Sequence, residues 1–455
     1  MTPDVAVVGG GLAGITAALA CADDGKSVTL LEGRPRLGGR TASFRRGPLE
    51  VDTGQHVFMR CCTSYLRLLD RLGVRDSVHL QGRLNVPVLQ PGRRRPARIA
   101  RIPGPAPLHI GPALARYALL SPARRLKLGR AALALRRVDP TDPDVDEQSF
   151  GTWLAQHGQD RVAIERLWDL ITVATLNAPA RDSSLALAAT VFQLGLLTDA
   201  AAADLGWARI PLGALHADAA DAALTAAGAH VRRGAKVTAI EPDGTGWALT
   251  LGGETLDAGV RLRCRDLILA VPPPATERLL PADAVALPAG WSDRLSSSPI
   301  VNVHVVYDRP VTSEPFLAAV DSPVQWVFDR TVPSGLDQGQ YLAVSLSAAR
   351  DEIRRPVADL ADRIVPALAA LLPAARGAHV EEVFVTREPT ATFHPAPGTA
   401  ALRPPPVTRR PGLYLAGSWT ATGWPDTMES AVRSGEAAAA AVLRRASRSP
   451  AGVPA

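Results

Sequence analysis

The chain is short of lysine, aromatic residues, cysteine and long apolar runs, and each shortage closes off a class of function. Of its 50 basic residues only three are lysines, Lys26, Lys127 and Lys236, so chemistry that needs a lysine amine has few positions to draw on. Phe, Trp and Tyr make up 5% of the chain, and they do not interleave with the basic residues as a nucleic-acid interface requires. The four cysteines, Cys21, Cys61, Cys62 and Cys264, lack both metal-ligand spacing and the disulfide framework of a small secreted fold. The adjacent Cys61 and Cys62 read as buried or idle thiols rather than a redox pair. No metal site is expected. The longest uncharged, largely apolar run, Ser183 to Thr198, has 16 residues, fewer than the roughly 20 that a membrane-spanning helix needs. Met1 to Pro3 leads straight into an apolar run, which predicts no signal peptide. These absences describe a cytoplasmic protein, soluble or peripherally membrane-associated. At 455 residues it is long for one core, and two lobes are expected.

What is present begins at Asp4. Val5, Ala6, Val7 and Val8 form an apolar run that stops at glycine, the pattern of a strand buried on both faces of a parallel sheet. Gly9, Gly11 and Gly14 follow as G-x-G-x-x-G. A helical pattern carried by Leu12, Ile15 and Leu19 runs to about Asp24, and a short strand from Ser27 to Leu31 ends at Glu32. In that setting the first glycine permits a tight turn and the second admits a pyrophosphate to the backbone. The third lets helix and strand pack closely, and the helix N-terminus offers unpaired N–H groups to the anion. Glu32 is placed to accept hydrogen bonds from ribose hydroxyls. The spacing predicts a dinucleotide site rather than a structural turn.

Directly after the acid, Glu32 to Thr41 brings Arg34, Arg36 and Arg40 together with the pair Gly38 and Gly39. An NAD enzyme has no need of them. The run resembles the E-x-R-x-x-x-G-G-R segment of the FAD-dependent amine oxidase and phytoene desaturase superfamily. The resemblance implies FAD, with Arg34 against the adenosine and Arg40 reaching the phosphates, which suits a planar donor fork. It also implies that Leu12, Ala13, Gly38, Gly39 and Thr41 contact the cofactor.

Acid is missing in one long segment. Ser77 to Val138 spans 62 residues without Asp or Glu and carries thirteen basic residues, among them Arg83, Arg93, Arg94, Arg95, Arg130, Arg136 and Arg137. Leu114, Tyr117, Leu120, Leu126, Leu128, Leu133 and Leu135 stand between them at helical spacing. Such a basic amphipathic surface predicts contact of residues 83–137 with an anionic membrane surface, each cation contributing about 1 kcal/mol. A solvated arginine-rich face is the plainer alternative. Nucleic acid is not expected, because no recognised module accompanies the charge.

The remaining pattern is organisational. Asp139 to Asp146 reads as a linker of proline and acid. Ser149 to His157, Val162 to Thr175 and the run to Leu197 read as helices, and His230 to Ile240, Trp247 to Leu251 and Leu267 to Val271 as strands. Ser298 to Tyr307, Val324 to Asp329, Gln340 to Leu346 and Val380 to Thr386 read as a second sheet under a helix from about Ala358 to Leu372. The expected fold is α/β and two-lobed: a Rossmann-like FAD domain and a mixed β-sheet plus helical substrate domain. The FAD domain is expected from residues 1–76, 206–290 and 396–445, the substrate or membrane-facing domain from 77–205 and 291–395, and a disordered tail from 446–455.

Near the end, Gly412 to Trp419 reads as a buried strand. Asp426, with Glu429 three residues on, reads as a capping box opening a long helix to about Arg445. That helix N-terminus is suited to stabilising negative charge on a bound flavin. Here the Asp52-Thr53-Gly54-Gln55-His56 segment, the Leu176-Asn177 segment and LAGSWTATGWPDTMESAVRSG resemble the hydroxysqualene dehydroxylase family, over essentially the whole chain. The resemblance implies further cofactor contacts at Gly54, Gln55, His56, Lys236, Val237 and Ala270, and at Gly417, Ser418, Pro425, Thr427 and Met428. Ser418 stands where the wider superfamily usually carries Asp, and its hydroxyl can still donate to a phosphate or ribityl oxygen.

The family's reaction replaces the hydroxyl of hydroxysqualene by hydrogen. It implies a C30 isoprenoid lipid substrate and a protonating group. The electron donor is expected to be separate, since no second dinucleotide motif is present. His56 and Asp426 are the candidate catalytic residues, weighed against a structural histidine and a helix cap. Three further readings remain: a carotenoid or phytoene-type desaturase, a flavin amine oxidase, and a non-enzymatic prenyl-lipid carrier.

Overall fold

Successive residues of a strand face opposite sides of its sheet, and the first apolar run obeys that period: Val5 and Val7 join one apolar cluster, Ala6 and Val8 another. In the computed structural model, which describes residues 2–252 and 259–448, this strand is the middle of a five-stranded sheet. The order is His230–Arg233, Val28–Glu32, Val5–Val8, Asp266–Leu269 and Leu413–Leu415, every pair parallel. Helices Leu12–Asp23 and Met428–Arg448 cover one face through Ile15, Leu19, Val432 and Ala439. An antiparallel meander, Lys236–Asp243, Gly246–Gly252 and Arg261–Cys264, covers the other through Val237, Leu249 and Leu251. The two ends of the chain therefore share one core.

The register decides where a ligand can enter. Val8 lies level with Leu31 and Leu269, and Leu269 with Leu415, so Gly9, Glu32, Ala270 and Gly417 all leave the sheet at its carboxyl edge. Both covering helices start at that edge. Leu12 follows Gly11 directly, while the far end of Met428–Arg448 reaches the opposite edge, where Arg445 donates to Asp266 at 2.7 Å. This is the crevice at which open α/β sheets bind ligands.

The second lobe is built on a seven-stranded mixed sheet, in the order Val380–Phe393, Ser297–Tyr307, Gln340–Ser347, Trp326–Asp329, Phe316–Ala319, Asn85–Leu89 and Ala97–Ala100. Helix Val357–Leu371 covers one face, burying Leu360, Ile364 and Leu368 against Val301, Val303 and Val344. Fully burying side chains of this kind contributes roughly 1.5–3 kcal/mol each. A helical layer packs alongside, centred on Phe150, Trp153, Trp168 and Phe192. Buried Asn177 ties this layer to the sheet: its amide donates to the Ser298 carbonyl at 2.9 Å and its oxygen accepts from the Ala348 N–H at 2.6 Å.

Several elements depart from the sequence expectation. The run from His230 to Ile240 is two strands in two sheets, parted at Gly234, which takes φ 67°. Asp139 to Asp146 is not a free linker. Asp142 caps the short helix Pro143–Asp146, and Asp146 is buried, accepting from the Ala400 N–H at 2.8 Å and from Ser184. The first half of the acid-free segment, for which no element was expected, forms the strands Asn85–Leu89 and Ala97–Ala100. Ala446 and Ser447, expected in the tail, belong to the last helix; residues 449–455 lie outside the described residues. No helix among the described residues is long and apolar enough to cross a membrane.

Candidate functional site

The glycine loop is held by its own backbone. A Cβ at Gly14 would overlap the Gly9 carbonyl oxygen, and one at Gly9, where φ is +110°, would overlap that of Ala270. Only glycine therefore lets helix Leu12–Asp23 start this close to the sheet. Its first internal bond runs from the Ile15 N–H to the Gly11 carbonyl at 2.9 Å, and Gly11 supplies no side-chain cap. The N–H groups of Leu12, Ala13 and Gly14 are thus left without helical acceptors. Glu32 stands beside them: one carboxylate oxygen accepts from the Gly10 N–H and the other from the Arg34 N–H, both at 2.7 Å. Each oxygen keeps a lone pair for a further donor. The following turn docks on the same loop, the Gly38 N–H donating to the Gly10 carbonyl at 2.8 Å and the Thr41 hydroxyl to the Gly38 carbonyl at 2.8 Å. Gly39 packs against Gly11. The Arg40 carbonyl accepts from the Thr53 hydroxyl at 3.0 Å. Lys236 packs over Gly33, one residue past the Ala235 N–H, which donates to the Glu32 carbonyl at 2.9 Å; Val237 is buried behind it.

The carboxyl-terminal loop meets this edge from the other end of the chain. The Gly417 N–H donates to the Ser434 hydroxyl, and the Ser418 carbonyl accepts from Ser430, each at 2.8 Å. The expected capping box does not form. Thr427, not Asp426, accepts from the Ser430 N–H at 3.2 Å, immediately before Met428 opens the helix. Asp426 instead accepts from the Phe393 N–H at 2.8 Å. Glu429 is buried and accepts from the Tyr65 N–H at 2.8 Å and from Arg433. Arg403, which the sequence did not single out, organises the loop. It is buried and donates to the Thr420 and Trp424 carbonyls, both at 2.7 Å, and to that of Trp419 at 3.2 Å. Burial lowers its pKa to about 10, with Asp426 and Asp146 acting in the opposite sense. The Pro425 carbonyl accepts from Thr427 at 3.3 Å.

Asp52 to His56 lies against the Arg40 to Ala42 turn, the Thr53 N–H donating to the Ala42 carbonyl at 2.9 Å. Asp52 is buried at the end of strand Leu49–Asp52 and pairs with Arg330 from the second lobe. His56 is half-buried, its Nδ1 lying 3.3 Å from the Gly54 carbonyl. Burial holds its pKa below the ordinary imidazole value; Gly54 and Asp52 oppose this, and Arg330 and Arg40 reinforce it. Nearby His216 is buried, bonded through Nε2 to the Tyr65 hydroxyl at 2.9 Å, and burial lowers its pKa to about 3. At neutral pH both rings are uncharged.

Two features test whether FAD fits. The helix N-terminus presents three N–H groups with neither helical partner nor side-chain cap, and the buried Nε2 of Gln55 has no hydrogen-bond partner. Both are donors of the kind a phosphate-bearing, carbonyl-rich cofactor satisfies. The family profile of flavin-containing amine oxidoreductases matches residues 12–443. The chain belongs to that family. It is an FAD-dependent oxidoreductase, and similarity to named relatives runs end to end. It is 29% identical to the hydroxysqualene dehydroxylase of Rhodopseudomonas palustris, over 97% of this chain and 99% of that one. It is 26% identical to the zeta-carotene desaturase of Zea mays, over 95% of this chain and 82% of that one. Among solved structures, cyclohexylamine oxidase from Brevibacterium oxydans superposes with a TM-score of 0.72 at 21% identity, covering 98% of this chain and all of that one. Putrescine oxidase bound to putrescine gives a TM-score of 0.70 at 22% identity, with the same coverage. These two share the fold. Among the described residues no group of His, Cys, Asp and Glu could hold a metal ion.

Proposed function

We propose that this protein reductively dehydroxylates hydroxysqualene, or a closely similar C30 isoprenoid carbinol, to the hydrocarbon of squalene biosynthesis. The observation that carries this reading is the end-to-end similarity to hydroxysqualene dehydroxylase. The lysines support it against an amine oxidase of the kind that uses a lysine beside the flavin. Lys26 lies beside Asp24, Lys127 lies on helix Pro122–Leu135 and Lys236 packs over Gly33, so none is on the seven-stranded sheet. A second reading, oxidative desaturation of a polyene, is favoured by the similarity to zeta-carotene desaturases.

In this reading residues 1–76, 206–290 and 396–445 hold FAD, and residues 77–205 and 291–395 enclose the lipid. The N–H groups of Leu12 to Gly14 and the side chains of Arg34 and Arg40 bind phosphate and adenosine. Glu32 takes the ribose, Lys236 and Val237 flank the adenine through their backbone, and Gln55, Ser418 and the Met428 N-terminus meet the flavin end. When bound and reduced by a separate donor, FAD supplies hydride. The substitution also consumes a proton and releases water, so a group must protonate the leaving hydroxyl. His56 is the candidate for positioning that oxygen, while Asp426, engaged by the Phe393 N–H, acts on loop shape.

The acid-free segment supplies the lipid side. In helix Pro122–Leu135, Leu128, Ala131 and Leu135 are buried, whereas Leu126 and Leu133 are 61% and 55% exposed. These two leucines stand seven residues apart with exposed Arg130 between them, so they share one outward stripe. Leu108, 70% exposed, belongs to the turn leading into helix Gly111–Ala115, which packs on the longer one. Arg98, Arg101 and Arg124 are spent on Glu314, Asp204 and Asp160. The remaining cations and the leucines suit an anionic membrane surface. The reaction is tested by incubating dithionite-reduced protein anaerobically with hydroxysqualene and, separately, oxidised protein with zeta-carotene and a quinone. Squalene in the first arm is expected; product only in the second would replace this reading by the desaturase one.

A further inference from the structure

Asp52 is the meeting point of three parts of the molecule. One carboxylate oxygen accepts from the Ser43 hydroxyl at 2.6 Å, across its own hairpin, and from the Leu212 N–H at 2.9 Å, from the segment that follows strand Leu205–Ala208. The other oxygen takes Arg330, which leaves the end of strand Trp326–Asp329 in the seven-stranded sheet. Arg330 is itself buried. Its backbone N–H donates to the Tyr341 carbonyl at 2.8 Å and its guanidinium also reaches the Ala208 carbonyl at 3.4 Å. Four residues beyond Asp52 stands His56, and the connection between them is pinned by Thr53, whose hydroxyl bonds the Arg40 and Ala42 carbonyls at 3.0 and 2.9 Å.

We propose that Arg330, through its ion pair with Asp52, is the positioning residue for His56, so that the second lobe sets the state of a group on the FAD side of the site. This rests on the reading in which His56 positions the leaving oxygen, yet its test reads the imidazole directly and is independent of any substrate. The Gly54 carbonyl accepts from Nδ1 and so fixes the proton there, leaving Nε2 as the free acceptor. The charges that act on the ring are Asp52, which favours its protonated form, and Arg330 and Arg40, which oppose it; His216, whose own pKa burial lowers to about 3, also interacts with it. Arg330 cancels the Asp52 charge as well as orienting the carboxylate. Without it a buried carboxylate faces His56 unopposed, and the ring is driven toward the cation. Without Asp52, Arg330 repels the cation more strongly.

The test is an NMR pH titration of the holoprotein labelled with ¹³C-histidine, the His56 resonance being assigned by its loss in His56→Gln. Arg330→Gln is expected to move the His56 titration upward and Asp52→Asn to move it downward. The Asp52→Asn/Arg330→Gln double variant returns it close to wild type, and Arg330→Lys, which keeps the charge, leaves it nearly unmoved. The double variant removes both members of the buried pair, so it keeps the test available if Arg330→Gln alone does not fold. The proposal is overturned if the His56 titration is the same in wild type and Asp52→Asn, or if Arg330→Gln and Asp52→Asn shift it in the same direction.

Discussion

The carboxyl edge of the parallel sheet and the Asp52–Arg330 junction, the two walls of the proposed site, are made by different means. At the edge the ligating groups are backbone N–H groups, and the side chains that matter are mostly absent ones: Gly9, Gly14 and Gly39 work because they leave room. At the junction the groups are buried side chains from three segments, held by one another, and Asp52 and Arg330 lie 278 residues apart. A backbone-made wall tolerates any change that keeps the turn and fails completely when a Cβ is added. A side-chain wall degrades by degrees and responds to pH. On the proposed function, the first wall binds the cofactor and the second acts on the reaction.

That division can be broken or sharpened by experiment. The largest effect is expected at the edge: Gly14→Val, whose side chain would overlap the Gly9 carbonyl, should weaken FAD binding by at least about 100-fold, roughly 2.8 kcal/mol, read as loss of the 450 nm absorbance on gel filtration. At the junction, His56→Ala should retain FAD and slow turnover at least about tenfold; unchanged turnover removes His56 from the reaction. Acid should lower the stability of the fold. His216 and His304, the latter in strand Ser297–Tyr307 with Nδ1 2.7 Å from the Tyr341 hydroxyl, are buried, and burial lowers each pKa to about 3, against about 6.5 in the unfolded chain. Between those values the unfolded state binds a proton that the folded state refuses. Stability therefore falls as pH drops below about 6.5, by about 1.4 kcal/mol per pH unit for each histidine. Urea unfolding at pH 7 and pH 5 measures this, and His304→Asn should reduce the slope. The smallest effect lies outside both walls. Leu126→Ser/Leu133→Ser should leave detergent-solubilised turnover unchanged and lower binding to phosphatidylglycerol vesicles about tenfold; equal binding by both proteins would assign the face to plain solvation.

The same contrast explains what could be read from the chain. The strand–glycine–helix run, the acid at the end of the second strand and the closing strand Leu413–Leu415 are local patterns whose spacing is dictated by strand and helix periods. The first three elements emerged within a residue of their limits, while the closing strand, read from Gly412 to Trp419, is confined to Leu413–Leu415. Interactions made at long range did not. Asp426 and Glu429 satisfy the spacing of a capping box, yet each is captured by a segment far away: Phe393 takes one, and the start of helix Thr63–Arg71 takes the other. The split at Gly234 was hidden because only Gly234 and Ala235 separate two strands whose partners, Val28–Glu32 and Gly246–Gly252, are set by the tertiary fold. Arg330 and Arg403 carry no local signal at all. A buried arginine is recognisable only when its acceptors are known, and for Arg403 those are carbonyls of residues 419, 420 and 424. Within the basic segment, charge was legible and burial was not: Leu126 and Leu128 look alike in sequence, but one faces outward and the other lies in the core.

The most direct measurement is anaerobic stopped-flow absorbance at 450 nm with stoichiometrically reduced protein mixed against hydroxysqualene, followed by quantification of the hydrocarbon. If the two walls enclose a reductive site, flavin absorbance returns without oxygen and one squalene forms for each flavin reoxidised. A spectrum that stays reduced while hydroxysqualene is recovered intact contradicts the account.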